Sequence, residues 1–187
     1  MICIYDKNTA KGDFDNNGLC ILDECVQAAI DCSLNGEYSL ELEYPAASYK
    51  AKYLEELNII KADGQLFRIY KVERIQADIL KVKVWARHIF YDLAFYFIES
   101  AKIINANALE ALTMTIPPEL QAIYTFMAPE QNIAPFAARE VNAVDAMFKL
   151  IEVYGGEILR DNFNISIIDK LARKTAFQLN MERTLRD

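Results

Sequence analysis

The stretch from Cys25 to Pro45, CVQAAIDCSLNGEYSLELEYP, carries the clearest structural signal in the chain. Its second half alternates strictly between apolar and polar residues, and the apolar set is Tyr38, Leu40, Leu42 and Tyr44. A period of two with one apolar face is typical of a half-buried strand. Asn35-Gly36 separates two such runs and predicts a β-hairpin with a type I′ turn, in which both turn residues have positive φ. Pro45 then ends the second strand, because proline cannot donate to a sheet.

Further strands are predicted on both sides of this hairpin. They lie at 2–5, 19–22 and 58–62, the last closed by Asp63-Gly64, and a helical turn is predicted within 49–57. Residues 65–75 and 79–87 predict a second hairpin, whose return strand alternates in the same way. Together these segments predict an antiparallel meander with one buried face. Apolar residues on both faces of 65–72 also indicate a strand edge that tends to pair.

The pattern changes near His88, where apolar residues begin to recur at helical spacing. Ile89, Leu93 and Phe97 predict a short helix packed on the sheet. Longer helices are predicted near 105–114, ended by Pro117-Pro118, and at 139–154, ended by Gly155-Gly156. A third hairpin is predicted at 157–168 and one more strand at 174–179, while 119–138 shows no clean period.

These elements define an α+β fold class, mainly antiparallel β. We expect a β-rich domain at 1–100, followed by a smaller α+β domain at 101–187. A chain of 187 residues can hold one large domain or two small ones.

The charge distribution disfavours two classes of partner. Residues 1–100 carry 11 basic and 16 acidic side chains, and residues 101–187 carry 9 and 11, within a net charge of −7. Nucleic acids and anionic membrane surfaces need clustered Lys and Arg, and neither half has a basic run. No apolar run approaches the roughly 20 residues that span a bilayer. The first residues lack the basic start and apolar stretch of a signal peptide, so we expect the chain to be made in a cytoplasm.

No catalytic constellation is found, because the only histidine is His88. Serine and cysteine nucleophiles need a histidine partner, and zinc hydrolases commonly need two or three histidines. We expect His88 to be structural, partly buried and locally hydrogen-bonded. The cysteines lack paired metal-ligand spacing and are expected to pack as reduced thiols, with one disulfide among them as the alternative; they are Cys3, Cys20, Cys25 and Cys32.

One segment resembles a cation-binding loop. Asp13, Asp15 and Asn17 alternate before Gly18, and Glu24 stands twelfth in a count from Asp13, as in a calcium loop of the EF-hand type. The flanks are predicted to be strands instead of helices, so a polar turn is the favoured interpretation. Other carboxylates, at Glu41, Glu43, Glu55 and Glu56, are interpreted as solvated faces.

Four pieces of the chain occur in an order and spacing that resemble a known family. They are LNGEYSLELEYP at 34–45, QLFRIYKV at 65–72, ARHIFYDL at 86–93, and NAVDA at 142–146 followed by GGEILRDNF at 155–163. The ordered set resembles the N-terminal region of phage tail-tip proteins called prophage endopeptidase tail or phage minor structural proteins. It covers nearly the whole chain and departs from the family at 177–182, where FQLNME replaces a Tyr-Gly-x-Asn-Leu-like stretch.

The resemblance implies a hub-type, β-barrel-like N-terminal domain, of the kind that forms a trimeric ring around the tail axis. It implies a virion tail protein that self-associates as a homotrimer and contacts other tail or baseplate proteins. Longer family members add a C-terminal region that cleaves peptidoglycan or binds a host, and nothing here matches it, so the chain is expected to be truncated.

The sequence therefore predicts a non-catalytic tail-tip segment without assigned catalytic, cofactor-binding or metal-binding residues. A tail-associated peptidoglycan hydrolase is the first alternative. A receptor- or carbohydrate-binding module is the second, for which the candidate contact residues are Tyr5, Tyr44, Tyr49 and Tyr53.

Overall fold

A computed structural model describes residues 1–76 and 79–168, which fall into two compact units. The first unit comprises residues 1–89, and the second, within the described residues, 90–168. The division falls earlier than the predicted seam near residue 100, because Phe90 and Leu93 pack into the core of the second unit. The strand predicted at 174–179 lies outside the described residues.

The first unit is built on a seven-stranded antiparallel sheet that curls into a half-barrel. Its order is β2-β1-β5-β6-β7-β4-β3. The strands are β1 (Cys3–Tyr5), β2 (Cys20–Ile21), β3 (Gln27–Cys32), β4 (Tyr38–Pro45), β5 (Ile59–Ala62), β6 (Gln65–Gln76) and β7 (Leu80–His88). A 3₁₀ helix at Tyr49–Tyr53 is the predicted helical turn. The predicted strands and the mainly antiparallel α+β class are confirmed.

Strict alternation in β4 and β7 determines which face of the sheet is buried. Leu42 and Tyr44 are fully buried, and Val84 lies directly opposite Leu42. The intervening charged residues face solvent. Burying a large aliphatic or aromatic side chain contributes about 1.5–3 kcal/mol, so this row anchors the core of the unit.

The predicted type I′ turn at Asn35-Gly36 is wrong. Asn35 has φ +48, but Gly36 does not lie in the left-handed region. Gly36 N–H donates to Ser33 O at 3.3 Å, and the connection between Cys32 and Tyr38 is five residues long. These φ signs, with only the second central residue positive, are those of a type II turn.

The type I′ signature is found instead at Asp63-Gly64, between β5 and β6. The two residues have φ of +50 and +79, and Ala62 pairs directly with Gln65. A two-residue loop with both φ positive matches the right-handed twist of the flanking strands. The same sequence signal, an Asn/Asp-Gly pair between strands, thus gives two different turns.

A bulge at Tyr70 changes the phase of β6. Ile69 pairs with Ala86, but the next paired residue, Lys71, stands opposite Trp85. The extra residue rotates the following positions, so that Val72 and not Lys71 continues the inner face. A regular period of two would place Tyr70 and Val72 on the same face, and the bulge separates them.

A 3₁₀ helix at Ile89–Phe95, the predicted short helix, begins at the last residue of the first unit and otherwise belongs to the second. The other elements of the second unit are β8 (Phe97–Ala106), α1 (Ala108–Thr115), α2 (Pro118–Ile123), β9 (Thr125–Met127), β10 (Ala134–Asn142), α3 (Ala143–Tyr154), β11 (Glu157–Asp161) and β12 (Asn164–Ile168). β8 and β10 form an antiparallel pair, and β11, β12 and β9 form a second small sheet. No helix of the described residues is long and apolar enough to cross a membrane.

Two helices are confirmed with shifted starts. α1 begins at a capping box in which Asn107 accepts from Glu110 N–H at 2.9 Å and Glu110 accepts from Asn107 N–H at 3.0 Å. α3 begins after Asn142, which accepts from Asp145 N–H at 2.9 Å. The prediction that this helix starts at Arg139 is wrong, because residues 139–142 pair with β8. Gly155, with φ +78, ends α3 as predicted.

β8 and β10 were not predicted, because the alternation of buried and exposed residues is interrupted at facing positions of the two strands. The pair Ile98–Val141 and the pair Ala101–Ala138 both face inward, although the two pairs are three positions apart along each strand instead of two. Glu140 has φ +51 at this point. Both strands therefore change faces together, and neither shows a clean period of two.

Candidate functional site

The most distinctive surface of the first unit is formed by the edges of its sheet. Among the described strands, nothing pairs with the outer side of β3 or with the far half of β6. β5 covers β6 only from Gln65 to Arg68, whereas β6 runs on to Gln76. We call residues 71–76 the β6 arm. The edge at β2 is only two residues long, so β3 and the β6 arm are the two longer edges of the sheet along which no other described strand pairs.

The outer face of the sheet beside the β6 arm is covered by cross-strand ion pairs. Lys81 Nζ lies 3.1 Å from Glu43 Oε2, and Lys83 bonds Glu41. Lys71 lies over the Trp85 ring at 4.4 Å and bonds Glu73 at 2.7 Å. These opposite charges are compensated within the unit, and each exposed pair contributes about 0–1 kcal/mol.

The polar loop between β1 and β2 folds back on β1. Tyr5 stacks edge-on against the buried Phe14 with ring centroids 5.0 Å apart, and its hydroxyl donates to Phe14 O at 3.0 Å. Lys61 Nζ donates to the same carbonyl at 2.7 Å. Gly18 allows the close approach, because a Cβ at this position would collide with Ile4 O. Burial raises the pKa of Tyr5 above its usual value.

The candidate calcium residues do not converge. Asp15 lines a surface cleft with Asn17 and lies 3.4 Å from Lys61 Nζ, so a lysine ammonium already stands at its carboxylate. Glu24 instead accepts from Ser48 Oγ at 2.8 Å. No group of three or more His, Cys, Asp or Glu side chains suited to a metal ion occurs among the described residues. The segment is a polar connection between β1 and β2.

A second polar cluster ties the loop after β2 to the 3₁₀ helix. The buried Lys50 ammonium bonds the Asp23 carboxylate. This hydrogen bond from Lys50 holds the pKa of Asp23 below its usual value and raises the pKa of Lys50. The arrangement links the loop after β2 to the 3₁₀ helix and so positions these chain segments.

His88 is an interior side chain. It is 0% exposed, stacks on Tyr38 at 4.5 Å with a 2° interplanar angle, and meets Phe67 edge-on at 5.7 Å. Its Nε2 lies 3.1 Å from Gln65 Oε1. A ring enclosed in this way cannot reach a substrate in solution.

The cysteines of the first unit pack as small apolar groups. Cys3, Cys20 and Cys25 are present as thiols, and Cys3 is buried. Burial raises the pKa of Cys25 from 9.0 to about 11, so this thiol stays protonated at neutral pH. A protonated thiol is a poor nucleophile.

The tyrosines proposed for carbohydrate contact are divided by burial. Tyr5 and Tyr44 are 2% and 0% exposed, so neither can contact a ligand. Tyr49 is 71% exposed, and Tyr53 is partly buried with Lys52 over its ring at 4.8 Å. An aromatic platform made by all four residues is therefore excluded.

Comparison with known proteins gives a family and a fold. Residues 2–88 match the model of the prophage endopeptidase tail N-terminal domain, which coincides with the first unit. No curated protein matches the chain.

Three solved structures share the fold. The prophage tail protein gp18 from Listeria monocytogenes EGD-e matches with a TM-score of 0.64 and 15% identity, over 90% of this chain and 50% of that one. The tail protein from Neisseria meningitidis MC58 matches with a TM-score of 0.52 and 8% identity, over 75% and 44%. The 43 kDa tail protein of prophage MuSo2 from Shewanella oneidensis matches with a TM-score of 0.50 and 13% identity, over 75% and 48%.

The chain thus spans about half the length of these three proteins. At such low identities the likeness shows the fold alone, whereas the family match spans residues 2–88, which contain the half-barrel sheet. Residues 2–88 of this chain therefore match the prophage endopeptidase tail N-terminal domain, and the solved structures that share the fold of the chain are tail proteins.

Proposed function

We propose that this chain is a structural component of the tail tip or baseplate hub of a phage or prophage, and that the described segment is not catalytic. The observation that carries the proposal is the family match over residues 2–88, the same residues that build the half-barrel sheet. The shared fold with three tail proteins extends the support into the second unit, since the first of them covers 90% of this chain.

The non-catalytic reading rests on where the reactive side chains lie. The single histidine is sealed between Tyr38 and Phe67, and the Cys25 thiol is held protonated. The exposed carboxylates of the sheet, Glu41 and Glu43, are engaged by lysines on β7. These groups stabilise the fold, and their geometry does not place an acid and a base around a common substrate.

The proposal also includes the location of the chain and the proteins with which it associates. The chain is expected in the virion tail, associated with further copies of itself, as a homotrimer, and with neighbouring tail proteins. The open edges of β3 and the β6 arm support self-association, because an unpaired strand edge gains backbone hydrogen bonds when a second chain adds to it.

Two experiments test this function. Particles purified from the host should contain the chain, and an antibody against it should label the tail tip in electron micrographs; labelling of heads or its absence from particles would refute the location. Purified chain should release no soluble muropeptides from peptidoglycan beyond a heat-inactivated sample, with or without zinc or calcium. Release above that control would show that the segment is an enzyme.

A further inference from the structure

We propose that the outer edge of β3 in one copy of this chain pairs in antiparallel fashion with the β6 arm of a second copy, with Ile30 opposite Val72. The inference rests on the self-association in the proposed function and names its surface and register. The facing positions are 28–31 of β3 and 71–74 of the β6 arm. The third open edge, β2, has only two residues and cannot support a comparable ladder.

The β3 side of the contact follows from its ladder with β4. Ser33 N–H donates to Glu37 O at 2.8 Å, so these two residues form a hydrogen-bonded pair. Bonded and non-bonded pairs alternate along an antiparallel ladder. Ala29 and Asp31 therefore bond β4, while Ala28 and Ile30 turn their N–H and C=O groups outward.

The β6 side follows by extending the same alternation across the sheet. Leu42 lies at a non-bonded position toward β3, so it bonds β7 at Val84. Val84 consequently does not bond β6, and Val72, which lies opposite it, turns its backbone groups away from β7. Arg74, two residues further along β6 and opposite Val82, turns its backbone groups outward in the same way. The bulge at Tyr70 determines that Val72 and Arg74, and not Lys71 and Glu73, turn their backbone groups away from β7.

Side-chain chemistry then selects the register. With Ile30 opposite Val72, both half-buried side chains lie on the inner face, and Asp31 stands next to Lys71 on the outer face. Ala28 and Ala29 leave room for the long side chains of Arg74 and Glu73. Opposite charges and apolar pairs at facing positions each contribute about 0.2–1 kcal/mol.

The neighbouring registers are unfavourable. Shifting by two residues in one direction sets Asp31 against Glu73, which is a like-charge pair. Shifting in the other direction sets Asp31 against Ile69, whose backbone groups are already bonded on the β5 side to Leu57 and Asn58. The contact joins two different surfaces, so it is heterologous and closes into a ring or continues as an open assembly.

Charge-swap variants of the full chain test the contact. Asp31→Lys and Lys71→Asp should each weaken self-association about tenfold, measured as weight-average mass by light scattering across loading concentrations. Glu55→Lys makes the same change of charge as Asp31→Lys at an exposed site outside both edge segments, and should leave association unchanged. The thermal unfolding midpoint, followed by the fluorescence of Trp85, checks that each variant is folded.

Mixing the two charge-swap variants provides the decisive observation. In an equimolar mixture, the lysine introduced at position 31 of one variant faces the aspartate introduced at position 71 of the other. At the reciprocal contact, the native Asp31 faces the native Lys71. The mixture should therefore regain the mass that each variant alone has lost, which a folding defect cannot produce.

Two results would overturn the contact. Variants that associate like the wild type, or a mixture that stays dissociated, would refute the pairing of β3 with the β6 arm while self-association stands. A wild-type chain that is monomeric at every concentration would refute both the pairing and the self-association.

Discussion

Gly18 holds the polar loop against β1, and its replacement by alanine should destabilise the first unit far more than the same change at Gly64. Both glycines have positive φ, +60 and +79. A Cβ on Gly18 would collide with Ile4 O and lie 2.9 Å from Tyr5 Cδ1, whereas nothing lies within 4 Å of a Cβ on Gly64. Gly64→Ala therefore measures the cost of the left-handed backbone alone, and Gly18→Ala adds the loss of the close approach.

The magnitudes can be worked out from these contacts. A left-handed alanine costs about 1 kcal/mol at either site. At Gly18 the forced shift also breaks the 2.7 Å bond from Leu19 N–H to Ile4 O, which contributes about 1 kcal/mol, and overpacks the Tyr5 ring for about 1 kcal/mol or more. The totals are about 3 kcal/mol for Gly18→Ala and about 1 kcal/mol for Gly64→Ala. For a unit of this size they correspond to Tm losses of about 15 °C and about 5 °C.

Trp85 provides the assay, because it is the single tryptophan of the chain and lies on β7 of the first unit. Its fluorescence during thermal unfolding reports this unit separately from the second. If Gly18→Ala lowers the Tm no more than Gly64→Ala does, the loop is not packed on β1 and the reasoning is refuted.

Three further changes have expected outcomes. Leu57 has φ +72 and is 47% exposed, so Leu57→Asn should raise the free energy of unfolding by about 0.5–1 kcal/mol; a lower Tm would mean that its side-chain contacts outweigh the strain. Gly36→Val should cost less than about 1 kcal/mol, because only the Ser33 hydroxyl, 2.5 Å from the new Cβ, must move; adding Ser33→Ala should recover the loss, and failure to do so would put the strain in the backbone. The raised pKa of Cys25 predicts stability that is full below pH 9 and lost as the pH rises to about 11; Cys25→Ala should remove that part of the alkaline loss in urea titrations, and an unchanged profile would assign the loss to other groups.

Alternation was sufficient to predict the strands of the first unit. In β4 and β7 every second residue is buried, so the sequence pattern and the burial coincide. The sequence also indicated that β6 extends beyond β5, since the predicted strand at 65–75 is much longer than the predicted strand at 58–62. What the pattern could not show is that β6 lies inside the sheet over its first half and at an open edge only beyond Tyr70.

Turn geometry was less predictable, because it depends on the distance that the connection must span. Asn35-Gly36 and Asp63-Gly64 carry nearly the same signal. Only the second joins directly paired residues, and only there are both φ values positive. The longer connection at 33–37 needs a single left-handed residue, which Asn35 provides.

The second unit shows where periodicity fails. α3 was predicted from its apolar stripe, and its true start is set by the Asn142 side chain and not by that stripe. β8 and β10 change faces together near Glu140, so neither strand presents a run of alternation long enough to detect. The polar contacts that hold the loops, such as Lys61 to Phe14 O and Lys50 to Asp23, link residues far apart in sequence and left no local signal.

The two extended edges of the first unit differ in their side chains, so the sheet has a direction that runs from the β3 edge to the β6 arm. β3 carries a single charged side chain, Asp31, whereas the β6 arm carries three, at Lys71, Glu73 and Arg74. Any assembly that joins one kind of edge to the other inherits this direction in every subunit. The two sides of such an assembly are then never equivalent.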